Sequence, residues 1–242
     1  MPSPTLSVCV TTFNRLPVLP MLLDNLAGVG DELVVLDSLS DDGTAEALAA
    51  DPRVRLVQHA FEGHYGRYKN VVLDAAQGDW ILLVDSDELL GDALKAALPK
   101  AVGSRWVSHY KLPRYWLAPG IGCERPRYVQ ADSLYPDWQL RLFRNTTAFR
   151  YPDDARVHEH FPRKGRGRGR KLAGCHLFHL DFLLNDRAAR EAKVARYGEG
   201  GELAAATSRV YLYEDLPHRL AACDEPLSGV DLTPFMDAAA KG

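Results

Sequence analysis

The stretch Gly78-Asp-Trp-Ile-Leu-Leu-Val-Asp-Ser-Asp-Glu88 decides the fold. Trp80 to Val84 is a short, uninterrupted apolar run, opened by Gly78 and closed by carboxylates, which predicts a buried strand. The bare Asp-x-Asp pair carries little, because Asp is common in this chain (21 of 242 residues). Its position carries more. Two carboxylates directly after a buried strand form a rigidly supported hard-oxygen site, suited to Mg²⁺ or Mn²⁺ shared with a diphosphate. The other reading is that one of them caps a helix that follows.

Upstream, the same alternation repeats. Leu6 to Val10 predicts a first strand, followed by Thr11-Thr12-Phe13-Asn14-Arg15 and a helix beginning near Pro17. Glu32 to Leu36 predicts the second strand, ended by Asp37, with Ser40-Asp41-Asp42-Gly43-Thr44 supplying turn and cap chemistry for a helix to about Ala50. Val54 to Val57 predicts the third strand and Tyr65 to Gln77 the third helix, with Gly78 as its stop. Strands alternating with amphipathic helices feed a mainly parallel sheet flanked by helices, an α/β fold. In such sheets ligands bind outside the carboxyl ends of the strands. Thr11 to Arg15, Asp37 with Ser38, and Asp85-Ser86-Asp87 all fall there, so three polar clusters converge on one edge. Asp37 suits a ribose hydroxyl or a base imide, or else a cap for the segment Ser40 to Ala50.

After about residue 100 the expected helices stop. Trp106 to Leu112, Gln139 to Arg144, Ala148 to Arg150 and Leu172 to Leu180 predict strands, Asn185 to about Tyr197 a helix, and Pro113 to Pro136 loops that wall a substrate. Arg163-Lys-Gly-Arg-Gly-Arg-Gly-Arg-Lys171 sets six basic residues among three glycines and predicts a mobile basic loop. It suits closure over a diphosphate, an anionic acceptor or an acidic membrane surface. Nucleic acid is disfavoured by a pI near 6.2 and by the lack of interleaved aromatics. Residues 1–100 carry 7 Lys+Arg against 15 Asp+Glu, whereas residues 101–180 carry 15 against 6. An acidic first half facing a basic middle suits a polyanion held through a cation and arginines.

With 46% hydrophobic and 25% charged residues the chain is globular, not disordered. It contains no apolar run of the ~18 to 20 residues a spanning helix needs and no basic segment before Leu6, so a cytoplasmic location is expected, with peripheral membrane contact left open. Cys9, Cys123, Cys175 and Cys223 have no Cys-x-x-Cys spacing and are expected to be free thiols. Neither a Gly-x-Gly-x-x-Gly turn nor a P-loop follows the first strand, which disfavours a dinucleotide site.

Taken in order, Val8-Cys-Val-Thr-Thr-Phe-Asn-Arg15, Val34-Val-Leu-Asp-Ser-Leu-Ser-Asp-Asp-Gly-Thr44, Tyr68-Lys-Asn70 and Gly78 to Glu88 resemble the successive signatures of family-2 glycosyltransferases of the GT-A fold. Tyr135-Pro-Asp-Trp-Gln-Leu-Arg-Leu-Phe-Arg144, Val157-His-Glu159 and the His176/His179 segment resemble the subgroup that includes lipopolysaccharide-core glucosyltransferases. The resemblance implies that Thr11, Asn14 and Arg15 line the nucleotide pocket. It places Asp37 on the pyrimidine or its ribose, and Lys69 near the base or phosphates. Asp85 and Ser86 then lie by the ribose or metal-bound water, and Asp87 on the divalent cation. In the third helix a lysine point charge replaces the usual arginine fork.

The resemblance also puts the catalytic carboxylate at Asp137, as the general base for an inverting transfer. Otherwise Asp137 caps a turn or pairs with Arg141 or Arg144. Trp138 is then an acceptor platform or core packing. A late histidine returning to the cation is expected at His158, with His179 second. His176 and His179, three apart on a strand, point to opposite faces and do not ligate together. The expected whole is one GT-A domain, with a nucleotide-sugar half (1–100), an acceptor half (101–190) and a C-terminal helical tail (191–242). The expected activity is Mn²⁺- or Mg²⁺-dependent transfer from a nucleoside diphosphate sugar, uridine-linked, to a saccharide, lipid-linked or small-molecule acceptor. A nucleotidyltransferase and a catalytically silent sugar-nucleotide-binding protein are the competing readings. The sequence gives no oligomeric state.

Overall fold

The computed structural model describes residues 3–119, 125–152, 160–162, 164–198 and 209–239. Strand β1 (Leu6–Thr12) lies between β2 (Glu32–Asp37) and β4 (Trp80–Asp85), parallel to both, and β3 (Val54–Gln58) extends the parallel set beyond β2. Helices α1 (Leu19–Leu26), α2 (Thr44–Ala50) and α3 (Tyr65–Ala75) make the crossovers. The apolar runs of β1, β2 and β4 are continuous because both faces of these strands are covered, whereas β3 at the edge is only partly buried. Val8, Val10, Leu82 and Val84 pack with Leu19, Leu22 and Leu23 of α1 and with Leu94 and Leu98 of α4 (Asp92–Val102). Their neighbours Cys9, Leu36, Ile81 and Leu83 pack the other way, on Tyr68, Val72 and Leu73 of α3. Each such fully buried aliphatic side chain contributes ~1.5 to 3 kcal/mol. Burial pushes the Cys9 thiol up to about 12, so it serves as packing; Cys175 and Cys223 are also free, and Cys123 lies outside the described residues.

Beyond β4 the sheet turns antiparallel. β8 (Asp137–Arg144) pairs with β4, β6 (His109–Ala118) with β8, β7 (Arg127–Gln130) with β6, and β11 (Arg219–Ala222) with β7. A short strand β10 (Leu177–His179) runs antiparallel to β5 (Glu88–Leu90) and parallel to β6. The chain closes with α5 (Asp181–Leu184), α6 (Arg187–Gly198) and α7 (Thr233–Ala239). Among the described residues no helix is long and apolar enough to cross a membrane.

Several local expectations are corrected. Helix α3 ends at Ala75 rather than Gln77, and Gly78 serves close packing instead of a helix stop. A Cβ on Gly78 would lie 2.7 Å from the Ser7 backbone nitrogen, and its N–H donates to Ser7 Oγ. The segment from Pro113 is the second half of β6 rather than a loop, because proline is tolerated where its missing N–H takes no part in the ladder. Residues Thr147–Phe149 form a 3-10 turn, not a strand. The basic stretch is partly a strand: β9 (Gly169–Lys171) pairs parallel with β6, and Ser108 N–H donates to Arg168 O at 2.9 Å. Its glycines serve this docking, since Gly165 and Gly167 have φ +83° and +71°, and a Cβ on Gly169 would lie 2.2 Å from His109 Nε2.

Candidate active site

The parallel register brings the predicted carboxylates together. Thr11 at the end of β1 is the partner of Asp85 on β4, and Thr12 is the partner of Asp37 on β2. Two loops rise from this edge and hold each other. Asn14, at φ 50°, gives its amide N–H to Asp41 Oδ1 (2.8 Å) and accepts Asp41 N–H (3.0 Å), while its own backbone N–H donates to Ser40 Oγ (2.9 Å). Arg15 N–H donates to Thr44 Oγ1 (2.9 Å). Asp37 is wholly buried and accepts from Ser40 N–H (2.9 Å) and Ser40 Oγ–H. It shapes the loop after β2 and does not cap α2. Gly43, at φ 94°, occupies that N-cap position, while Asp42 accepts Thr44 N–H.

Asp85 is held by two cations. Lys69 Nζ of α3 stands 3.4 Å from Oδ1, and Arg141 of β8 donates to Oδ2. Burial opposes its charge, but Arg141 and Lys69 outweigh burial and keep the carboxyl well below the usual range. Glu88 is fully buried: its Oε1 accepts from Arg114 Nη1 and Arg141 Nη2, both at 2.8 Å, and its Oε2 accepts Asp85 N–H at 3.1 Å. One carboxylate thus fastens the Asp85 turn to β6 and to β8. A buried carboxylate is tolerable only with such a set of donors.

Asp137 opens β8 opposite Arg114, its register partner on β6. Its Oδ2 accepts from Arg114 Nε (2.8 Å) and Trp116 Nε1 (2.9 Å), and its Oδ1 from Gln139 Nε2 (2.5 Å). Burial pushes this carboxyl up; Arg114, Trp116 and Gln139 together pull it below its ordinary value. The partner is therefore Arg114, neither Arg141 nor Arg144. Arg144 bonds the carbonyls of Ser104 and Val107 instead. The next residue, Trp138, is half-buried with Lys171 Nζ 4.4 Å over its ring, which ties the basic strand β9 to the start of β8.

Asp87 meets the late histidine. His179 Nε2 lies 3.7 Å from Asp87 Oδ2, and Leu180 N–H donates to the Asp87 carbonyl at 2.8 Å, a consequence of β10 pairing with β5. Burial, helped by the Arg114 charge, lowers the His179 pKa to about 3, so the imidazole is neutral and keeps a lone pair. His176 points to the other face, stacked on Tyr115 at 3.9 Å and bonded through Nδ1 to Glu225, so the two histidines do not act together. His158 lies outside the described residues. Among the described residues, the histidine that the fold brings to the carboxylates is His179, the second of the two expected from sequence. Ser86 sits between Asp85 and Asp87 in the turn that joins β4 to β5.

Among the described residues no three His, Cys, Asp or Glu side chains form a ready-made cage for a metal. The pair that fits a divalent cation is Asp87 with neutral His179, a hard oxygen and an imidazole, which suits Mn²⁺ when phosphate oxygens and water supply the remaining positions. Asp85 is already neutralised. The sequence did not single out Arg114, Trp116 or Glu88, and it named Arg141 as a partner for Asp137, whereas Arg141 pairs with Asp85 and Glu88. Arg114 and Trp116 share one face of β6 by period 2, but that signal becomes legible only once β6 is known to run through Pro113.

The sequence model described as Glycosyl transferase family 2 matches residues 7–115. SunS, an SPbeta prophage-derived glycosyltransferase of Bacillus subtilis (strain 168), is 24% identical over 160 residues, covering 65% of this chain and 35% of SunS. The chain spans about a third or less of the length of the curated relatives it matches. Among solved structures, the mannosyltransferase PcManGT from Pyrobaculum calidifontis, in complex with GDP-Man and Mn²⁺, superposes with a TM-score of 0.54 at 16% identity, covering 99% of this chain and 75% of that one. S. aureus TarS (residues 1–349) superposes at 0.51 and 16% identity, covering 87% and 70%. The fold is GT-A, and residues 7–115 match the glycosyltransferase family 2 region.

Proposed function

We propose that the chain is an inverting glycosyltransferase that moves a sugar from a nucleoside diphosphate sugar, uridine-linked, to an acceptor hydroxyl, with Mn²⁺ or Mg²⁺ as cofactor. The observation that carries this reading is the meeting of two carboxylate stations on one sheet edge, Asp85/Asp87 after β4 and Asp137 on β8, joined through Glu88, Arg114 and Arg141. The matched family-2 region and the GT-A fold support the same class. The subgroup likeness rests on the motifs around Asp137 and His179.

In this reading Asp87 and His179 hold the cation. Bound there, it supplies positive charge against the diphosphate as that group leaves. Asp85 orients the ribose, with Lys69 beside it, and Thr11, Asn14, Arg15 and Ser86 line the nucleotide. Asp37 acts through the loop it holds with Ser40. Asp137 takes the acceptor hydroxyl's proton as that oxygen attacks the anomeric carbon from the face opposite the departing diphosphate. Arg114 and Trp116 fix its orientation and keep it ionised, leaving Oδ1, which is bonded only to Gln139, for the incoming proton. The acceptor class is a saccharide, lipid-linked or small-molecule hydroxyl.

Titration of the protein with UDP, GDP and CDP, with and without Mn²⁺, tests the donor assignment. Tight Mn²⁺-dependent binding of UDP in the parent, and its loss in Asp87→Ala, is the expected result. Equal binding in the variant, with the same Mn²⁺ dependence, would remove Asp87 from the cation.

A further inference from the structure

Helix α6 brings a cation to the Asp87 side of the site. Arg190 pins this helix: its guanidinium donates to Tyr211 O (2.7 Å) and to both oxygens of Glu214, and its Nε to Asn185 O (3.3 Å). Lys193 stands three residues later and therefore on the same helix face. Its side chain is only 17% exposed, and its ammonium donates to Asp181 Oδ1 at 2.6 Å and lies 4.1 Å over the Tyr211 ring. From there the contacts lead into the site. Tyr211 meets Trp116 edge-on at 5.5 Å, Trp116 packs on His179 at 4.1 Å, and His179 faces Asp87. Asp181 is fully buried, its N–H is 3.4 Å from His179 Nδ1, and its Oδ2 has no partner. The Asp87 carboxylate is among the charges felt by both Lys193 and Tyr211.

Lys193 is thus the ammonium that α6 sets beside the Asp87–His179 pair by way of Asp181, whose N–H meets the same imidazole. An ammonium so placed suits a phosphate oxygen. An ammonium has three donors, and Asp181 takes one of them.

We propose that Lys193 is a donor-binding residue that contacts the phosphate of the nucleoside diphosphate farther from the nucleoside and steadies it as it leaves. This rests on the glycosyltransferase reading and adds to it a residue from the C-terminal part of the chain, beyond the matched family region.

The test compares each nucleoside diphosphate with its monophosphate, using UDP and UMP, or GDP and GMP if the parent prefers guanosine, by calorimetry with Mn²⁺. In Lys193→Met, diphosphate affinity should fall about ten- to a hundredfold, the size expected for one lost charge-assisted hydrogen bond, while monophosphate affinity stays the same. Lys193→Arg should restore part of the difference. Because Lys193→Met strands Asp181, the ratio is also measured in the double variant Asp181→Asn/Lys193→Met, in which no carboxylate is left unpaired. An unchanged diphosphate-to-monophosphate ratio in both variants would make Lys193 a structural partner of Asp181 and overturn the inference, while leaving the glycosyltransferase reading intact. A parent protein that binds no nucleoside diphosphate would overturn that reading itself.

Discussion

Asp137 is a carboxylate whose proton affinity is set by competing forces, and this makes its role measurable. Burial raises its pKa, and Arg114 with two neutral donors lowers it further than burial raises it. It is therefore ionised across the neutral range, and transfer should fall only at pH values below the ordinary carboxylate range. Removing the cation reverses the balance: in Arg114→Met burial dominates, so the acid limb of the kcat profile should move to higher pH. An unmoved limb would mean that another group takes the proton. Asp137→Asn should lower turnover by ~10² to 10⁴-fold with donor affinity nearly constant. Parallel loss of donor binding would make Asp137 a structural partner of Arg114. The sequence pointed to Asp85 and Asp87 because they close an apolar run, and to Asp137 through the family resemblance. It left Glu88 and Arg114 unread because their roles depend on pairing between β4, β6 and β8, which no local pattern encodes.

At the scale of elements, the four parallel strands were legible because helical crossovers punctuate them, and burial on both faces makes β1, β2 and β4 continuous and apolar. The antiparallel strands were less so. β6 runs through Pro113 and mixes Lys111 and Arg114 with Tyr110, Tyr115 and Trp116, because one of its faces carries the site, and such a sequence resembles a loop. Strand β9 shows the same masking, since glycines and arginines read as mobile chain until β6 supplies a partner edge. A consequence follows for substitution. Gly169→Val drives a side chain into His109 and should destabilise the fold by about 1 to 3 kcal/mol, whereas Arg170→Ser, at an exposed position, should leave the Tm nearly unchanged. Thermal unfolding of the two variants distinguishes an anchored strand from a loose loop; equal Tm values would favour the loop.

Across the whole molecule, the acidic first half and basic middle meet at one sheet edge. The charges there are paired across the halves: Asp85 with Arg141, Glu88 with Arg114 and Arg141. Asp85 and Asp137, both held below the ordinary Asp value of 3.8, contribute stability that is present above that pH and is lost as the pH falls through their lowered values. The C-terminal part completes the arrangement, with His179 and Lys193 reaching the Asp87 side. On the proposed reading this edge cleaves a sugar from a nucleoside diphosphate by way of Asp87. The most direct measurement is chromatography of the nucleotide products after incubating the protein with Mn²⁺, a panel of nucleotide sugars and candidate acceptors. Acceptor-stimulated release of the free nucleoside diphosphate, UDP before GDP, absent in Asp87→Ala, is the expected result. Release of pyrophosphate, or undiminished nucleoside diphosphate release by Asp87→Ala, would contradict it.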